Sequence, residues 1–172
     1  LSDESGSKLN FWADNVYEEW KSSADIKGTQ LVFCDLSTPK KPYSEYEYGK
    51  DFDAYNDLKH KLIERGIPEN EIAFIHDANT DRAKQDLFDK INAGAVRVLI
   101  GSTEKCGAGT NVQKRLVAIH HLDAPYRPRD LIQRNGRGIR QGNMNKSIRI
   151  YTYATERTFD SYSYQILENK QR

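Results

Sequence analysis

The chain alternates short, almost wholly apolar runs with segments of helical periodicity, and this alternation restricts the fold more than any other feature. We predict five strands: LVFCDL (31–36), IAFIH (72–76), VRVLIGS (96–102), RLVAIHHLD (115–123) and SIRIYTY (147–153). Strands that are nearly continuous in apolar residues and flanked by helices indicate a mainly parallel sheet covered on both faces. The fifth run alternates apolar and polar residues, which favours a place towards an edge.

Segments with apolar residues at helical spacing separate these strands. They predict helices over 9–20, over about 52–65, from Asn79 or Thr80 to Gly94, from Pro128 to about Arg137, and over 158–170. A length of 172 residues fits one main α/β domain. We expect an N-terminal segment with an amphipathic helix (1–27), the sheet domain (28–157) and a C-terminal helix (158–172) that could lead to further domains.

Parallel sheets keep their functional residues in the loops beyond the carboxyl ends of the strands. Here those loops are predicted at 36–48, 77–80, 101–114 and 123–129. The loop GSTEKCGAGTNVQ (101–113) is rich in small residues, which expose backbone N–H groups that suit a phosphate. Taken alone, such a loop is better explained as an ordinary turn.

Charge is concentrated in one segment of a chain whose net charge is only +1. Residues 127–149 contain seven Lys or Arg against one acid, and the other 149 residues hold 19 basic and 24 acidic side chains. Within it, Gln133, Arg137 and Arg140 would share one face if the helix continues, and arginine forks match phosphate oxygens. The alternative is a solvated basic helix end, which needs no ligand.

The order of these motifs resembles the second lobe of superfamily 2 helicases. The loop with G-x-N, the strand that ends in Asp123 and the sequence Q-x-x-G-R-x-x-R (133–140) resemble motifs V and VI, and LVFCDLSTP (31–39) resembles motif IV. The segments STEKCGAGTNVQ and LDAPYRP look most like the Swi/Snf-type branch. GTQLVFCDLSTP, HHLDAPYRP and TFDSYSYQILENKQ are similar to helicase regions of large phage and conjugative-element proteins that often carry a DNA methyltransferase domain.

The resemblance implies a RecA-like lobe of three layers that completes an ATP site shared with an absent first lobe. Arg137 and Arg140 match the arginines that reach the γ-phosphate, Gln133 matches the first residue of motif VI, and Gly109 would allow close approach to ATP. ATP and Mg²⁺ would be held mainly by the first lobe, in the same polypeptide or in a partner. Because this sequence has neither a Walker A nor a Walker B motif, we expect the chain alone to be inactive.

The same resemblance implies contacts with the backbone of DNA, and for this branch of the superfamily we expect double-stranded DNA. The residues that match are Ser102, Thr103, Lys105 and Asn111, with Ser37 and Thr38 as weaker matches. Such phosphate contacts are largely independent of sequence. Two other functions stay open: a nucleic-acid-binding module without ATPase activity, and an RNA helicase lobe, against which Gln133 argues because DEAD-box proteins typically have His there.

Several other residues allow two interpretations. His120 and His121 precede Asp123, but no nucleophile motif accompanies them, so packed strand histidines are favoured over a catalytic pair. Tyr43, Tyr46 and Tyr48 could stack on bases but are better explained by packing at the sheet edge. Cys34 and Cys106 have no metal-ligand spacing, and no segment has the length of a membrane span or the pattern of a signal peptide. We therefore expect no metal site and a cytoplasmic location in a bacterial or phage context.

Overall fold

A central sheet of five parallel strands organises the chain. The computed structural model describes residues 8–35, 37–106, 111–123, 128–136 and 141–153. The strands are β1 (Thr29–Phe33), β2 (Ile72–Phe74), β3 (Val98–Gly101), β4 (Leu116–His121) and β5 (Arg149–Thr152), and their order across the sheet is β2-β3-β1-β4-β5. All four pairings are parallel, which confirms the predicted sheet and the edge position of β5.

Helices cover both faces of this sheet. They are α1 (Lys8–Ser22), α2 (Ala54–Arg65), α3 (Asp81–Asn92) and α4 (Pro128–Gly136). One apolar cluster joins Trp12 and Val16 of α1 and Leu58 of α2 to Val32 of β1. On the opposite face Phe88 of α3 packs with Phe33 of β1. The protein therefore has the three-layer RecA-like α/β fold.

Local capping residues fix where α2 and α3 begin and end. Asp53 accepts a hydrogen bond from the Asn56 N–H at the start of α2, and Thr80 accepts one from the Ala83 N–H at the start of α3. Gly66 ends α2 with φ of 114°, a left-handed conformation that glycine adopts without a steric penalty. These contacts confirm the predicted breaks at Thr80 and Gly66.

Some predicted boundaries were wrong. The second strand was predicted to reach His76, but β2 ends at Phe74 and a 3₁₀ turn follows over Ile75–Asp77. The second helix was predicted from about residue 52, but Phe52 lies before the cap at Asp53 and its side chain is 83% exposed. The predicted final helix at 158–170 lies outside the described residues. Within the described ranges, no helix is long and apolar enough to cross a membrane.

Candidate functional site

The register of the three central strands brings three polar residues to one place. Phe33 of β1 pairs with Gly101 of β3 and with His121 of β4, so the carboxyl ends of these strands are level. Asp35, Thr103 and Asp123 each follow two residues later. Thr103 donates its N–H to Asp35 Oδ1 (2.7 Å), and Asp35 donates its N–H to Asp123 Oδ2 (2.6 Å). The candidate site therefore begins as a set of cross-linked strand ends.

Arg134 of α4 lies in the middle of this set with its side chain fully buried. Its Nε donates to Thr103 Oγ1 (2.7 Å), and Nη2 donates to Asp35 Oδ2 (2.7 Å) and Asp123 Oδ1 (3.1 Å). Nη1 contacts the Asp123 carbonyl oxygen (2.9 Å) and His121 Nδ1 (3.2 Å). All five N–H donors of the guanidinium thus have an acceptor, which is the condition for keeping an arginine charged in a protein interior.

We call Asp35, Thr103, His121, Asp123 and Arg134 the Arg134 cluster. The Thr103 hydroxyl closes it by donating to Asp35 Oδ2 at 2.7 Å while it accepts from Arg134. The guanidinium carbon lies 5.1 Å from the centre of the Phe33 ring, which adds a cation–π contact. Burial raises the pKa of Asp123, while the charge of Arg134 beside it acts in the opposite direction.

The contacts of His121 determine its protonation. Arg134 can only donate, so Nδ1 of His121 must accept, and the proton lies on Nε2, which donates to Asn135 Oδ1 at 2.6 Å. Burial and the neighbouring Arg134 charge lower the pKa of His121 to about 4. His121 is therefore neutral at physiological pH, and its place in the sheet supports the predicted packed histidine rather than a catalytic pair.

The loop after β3 begins at this cluster. Ser102 Oγ accepts from the Lys105 N–H (3.1 Å), and the Ser102 carbonyl accepts from the Cys106 N–H, so residues 102–106 form a tight turn. An ideal Cβ on Gly101 would lie 2.5 Å from Ile75 Cγ2 and 2.6 Å from Cys106 Sγ, which explains a glycine at the strand end. Ser102 is half-buried, Lys105 and Asn111 are exposed, and Thr103 is buried.

The remaining predicted site residues are distributed over this edge and beyond the described part of the chain. Gln133 is exposed on α4, next to the buried Arg134. Ser37 is half-buried and Thr38 exposed, two and three residues beyond Asp35. The predicted ATP residues Gly109, Arg137 and Arg140 lie outside the described residues. Where described, the predicted residues follow β1 or β3 or belong to α4.

Arg134 is the residue that sequence reasoning missed. The sequence shows it only as part of a basic segment, whereas in the structure it contacts Asp123, the residue at which the fourth strand was predicted to end. The available signal was the coincidence of Asp35, Thr103 and Asp123 just beyond three apolar strands. Two carboxylates close together at the edge of a sheet require a nearby cation. Arg134 of α4 is fully buried and supplies that cation.

A second polar cluster lies on the other face of β4. Gln30 Oε1 can only accept a hydrogen bond, so His120 Nε2, 2.6 Å away, carries the proton and donates to it. His120 Nδ1 therefore accepts a hydrogen bond from the Tyr153 hydroxyl at 2.8 Å. Gln30 in turn donates to the Val16 carbonyl, and Asn15 donates to the Tyr153 oxygen. Burial, with His121 as a smaller cause, lowers the pKa of His120 to about 3. We call these residues the His120 cluster.

The tyrosine-rich loop packs against α2, not against the sheet edge as predicted. Tyr46 donates to Asp57 Oδ1, the Tyr43 hydroxyl lies 3.2 Å from His60 Nδ1, and the Tyr48 ring stacks on His60 with centroids 4.3 Å apart. These rings are therefore engaged with protein. Cys34 and Cys106 are buried and form no disulfide bond, and no group of metal ligands occurs among the described residues.

Comparisons with known proteins agree with this architecture. Residues 25–142 match the family described as "Helicase conserved C-terminal domain". The chain is 36% identical over 72 residues to "Defense against restriction protein B" of Escherichia phage P1, an alignment that covers 42% of this chain and 3% of that protein. The chain thus spans a small part of that relative.

Two solved structures share the fold. The structure of the C-terminal part of the Fun30 ATPase domain superposes with a TM-score of 0.65 and 18% identity over 97% of this chain and 47% of that chain. A variant of S. cerevisiae Dbp5 bound to a Gle1 variant and IP6 superposes with a TM-score of 0.57 and 18% identity over 92% and 36% of the two chains. At this identity the likeness concerns the fold. The family match covers well over half of the sequence, and the chain therefore belongs to the helicase conserved C-terminal domain family.

Proposed function

We propose that this chain is the carboxyl-side motor lobe of an ATP-dependent DNA translocase or helicase of the Swi/Snf type. In this proposal Arg137 and Arg140 complete an ATP site whose other half belongs to a first lobe, and loops at the same edge of the sheet hold the DNA backbone. The similarity to a phage protein favours a bacterial or phage context, and an attached methyltransferase remains a prediction of the resemblance.

The Arg134 cluster is the observation that carries this proposal. It fixes α4 to the ends of β1, β3 and β4 through hydrogen bonds of 2.7–3.1 Å. Arg137 and Arg140 follow Arg134 by three and six residues in the sequence. A rigid anchor directly before two arginines is what an arginine finger requires, because its catalytic effect depends on holding a charge where the transition state needs it.

The described acids at this edge argue for a division of labour between two lobes. Asp35 and Asp123, the carboxylates two residues beyond β1 and β4, are both paired with Arg134. They are thus engaged with a cation of the protein, and we assign Mg²⁺ to acids of the first lobe. When bound, Mg²⁺ would neutralise charge on the phosphates. Gln133, exposed on α4, is assigned to the nucleotide side together with Gly109.

The DNA contacts are assigned to residues of the strand-end loops whose surfaces reach solvent. These are Ser102, Lys105, Asn111, Ser37 and Thr38. We leave Thr103 out of this set because its hydroxyl already donates to Asp35 and accepts from Arg134. Backbone contacts of this kind would hold DNA irrespective of its sequence and weaken as salt concentration rises.

The test uses the full-length parent protein with its first lobe. ATP hydrolysis is measured with no nucleic acid, with double-stranded DNA and with RNA, for wild type, Arg140→Ala and Arg65→Ala. Arg65 is the matched control, since it ends α2 and pairs with the exposed carboxylate of Asp14. We expect hydrolysis stimulated by double-stranded DNA, and a loss of about 10³-fold in R140A because the transition-state charge loses its partner.

The outcomes separate the competing functions. DNA affinity should stay near wild type in R140A, and R65A should hydrolyse ATP normally. Equal hydrolysis in R140A and wild type would remove Arg140 from the ATP site. Stimulation by RNA instead of DNA would favour the RNA helicase alternative, and nucleic-acid binding without any hydrolysis would favour the binding module.

A further inference from the structure

In the assignments above Arg134 serves only to anchor α4, yet its side chain contacts protein groups at the ends of three strands. It is buried from solvent, so neither a nucleotide nor a DNA phosphate can reach its guanidinium. All of its donors go to protein acceptors on three strand ends. A buried charged group that holds the ends of three strands can act only through the residues that it contacts.

We propose that Arg134 is a positioning residue that couples the DNA-contacting loop after β3 to the helix leading into Arg137 and Arg140. This inference rests on the function proposed above. The hydrogen bond that Arg134 Nε donates to Thr103 Oγ1 (2.7 Å) connects α4 to the loop after β3. A displacement of α4 that follows the state of the nucleotide is passed to Thr103 and from there to Ser102 and Lys105.

The loop side of this link is rigid enough to transmit such a displacement. Thr103 is held twice by Asp35, through its N–H and through its hydroxyl, both at 2.7 Å. The next residues are held by the turn in which Ser102 accepts from the N–H groups of Lys105 and Cys106. These hydrogen bonds connect the backbone of Lys105 to Ser102, and Thr103 to both Asp35 and Arg134.

The helix side is equally constrained. The other donors of Arg134 contact Asp35, Asp123 and His121. The guanidinium is planar and rigid, so these three contacts fix its orientation. Lysine could not reproduce this set, because an ammonium has three donors and no plane. The cluster thus behaves as one body that joins α4 to the ends of β1, β3 and β4.

Thr103→Val is the decisive variant, with Thr103→Ser as its matched control. Valine has the shape of threonine but lacks the hydroxyl that links Arg134 to the loop, whereas serine keeps that hydroxyl. Both are made in the full-length protein, and ATP hydrolysis is titrated with double-stranded DNA. Thermal unfolding is measured alongside. Arg134→Lys is a second variant, and because it leaves two carboxylates short of donors, its melting temperature is expected to fall.

We expect T103V to lower the maximal DNA-stimulated turnover by about 10-fold or more, while the DNA concentration for half-maximal stimulation stays within about twofold of wild type. T103S should retain wild-type turnover. Comparing these two quantities distinguishes a positioning role of Thr103 from a direct contact with DNA. Loss of a phosphate contact would raise the DNA concentration needed for half-maximal stimulation, and more DNA would restore turnover. A purely structural role would lower the melting temperature and leave the turnover of the folded protein unchanged.

Three outcomes would overturn the inference. They are equal turnover in T103V and T103S, recovery of T103V at high DNA concentration, and a loss in T103V fully explained by unfolding. Each of these leaves the proposed function intact, provided that the wild type responds to DNA and R140A does not hydrolyse ATP. A wild-type protein that hydrolyses ATP without any response to DNA contradicts the proposed function and this inference together.

Discussion

The two adjacent histidines of β4 belong to clusters of different character. His121 faces α4 and is part of the Arg134 cluster, which contains one buried cation and two carboxylates and reaches solvent through Asp35, whose side chain is 32% exposed. His120 faces α1 and is part of the His120 cluster, which is neutral and fully buried at its centre. One strand therefore contributes consecutive residues to a charged site and to a neutral core network.

Burial is combined with charge in one cluster and with neutral groups in the other. Neutral hydrogen bonds in the His120 cluster join α1, β1 and β4, which are elements of the scaffold. Charged hydrogen bonds in the Arg134 cluster join loops and the helix that bear the candidate site residues. Burying charged groups costs desolvation free energy, but their hydrogen bonds are strong and directional. In this fold that cost falls on the cluster that positions the candidate site residues.

Removal of the buried cation should have the largest effect. Arg134→Met leaves Asp35 and Asp123 without their common partner, and we expect it to lower the free energy of unfolding by about 3–5 kcal/mol, because uncompensated buried charge remains. Arg65→Met is the matched control and should cost less than about 1 kcal/mol, since its partner Asp14 is 64% exposed. Urea unfolding at pH 7 measures the stability of both variants. Equal losses of unfolding free energy would show that burial of the Arg134 cluster does not make it more important for stability than the exposed pair of Arg65 and Asp14.

Much of the fold could be predicted because apolar periodicity reports burial directly. All five strands and the helices that the structure describes lie within or close to the predicted segments. Strand boundaries were less certain, since IAFIH looks apolar to its end although the backbone turns at Ile75. The order β2-β3-β1-β4-β5 depends on how helices cross the sheet, which residue patterns do not encode directly.

The candidate site was only partly predictable. The described parts of the predicted loops follow the strand ends, which is where parallel sheets usually hold their functional residues. Arg134 was missed because its acceptors Asp35 and Thr103 come from positions 99 and 31 residues away in the sequence. Burial of an arginine depends on such distant partners, whereas a pattern of basic residues predicts only a charged surface.

The pH dependence of stability tests whether both histidines are neutral in the folded protein. Their pKa values are lowered by burial to about 3 for His120 and about 4 for His121, below the value of about 6.5 for an unfolded chain. Their contribution to stability is therefore complete above pH 6.5 and is lost as pH falls towards 4. Each histidine should cost about 2 kcal/mol between pH 7 and pH 5.

Variants that replace one histidine at a time show which cluster causes the pH dependence of the unfolding free energy. His120→Gln should reduce the loss of unfolding free energy between pH 7 and pH 5 by about 2 kcal/mol, whatever its stability at pH 7. His121→Gln should do the same if Arg134 keeps that ring neutral. A variant whose slope equals that of wild type would show that the replaced ring is already protonated or accessible in the folded state. Urea unfolding in a series of buffers supplies the measurement.

The smallest effect concerns the neutral cluster and separates the two faces of β4 by function. Tyr153→Phe removes the hydroxyl that donates to His120 Nδ1 and accepts from Asn15, and we expect a loss of about 1 kcal/mol in unfolding free energy. Tyr17→Phe, on a ring that stacks on Trp20, should change it by less than about 0.5 kcal/mol. In the full-length protein Y153F should keep its DNA-stimulated turnover, because its hydroxyl belongs to the scaffold face. A turnover loss in Y153F comparable to that expected for T103V would mean that the neutral cluster also positions the site, and the division between the two faces would fail.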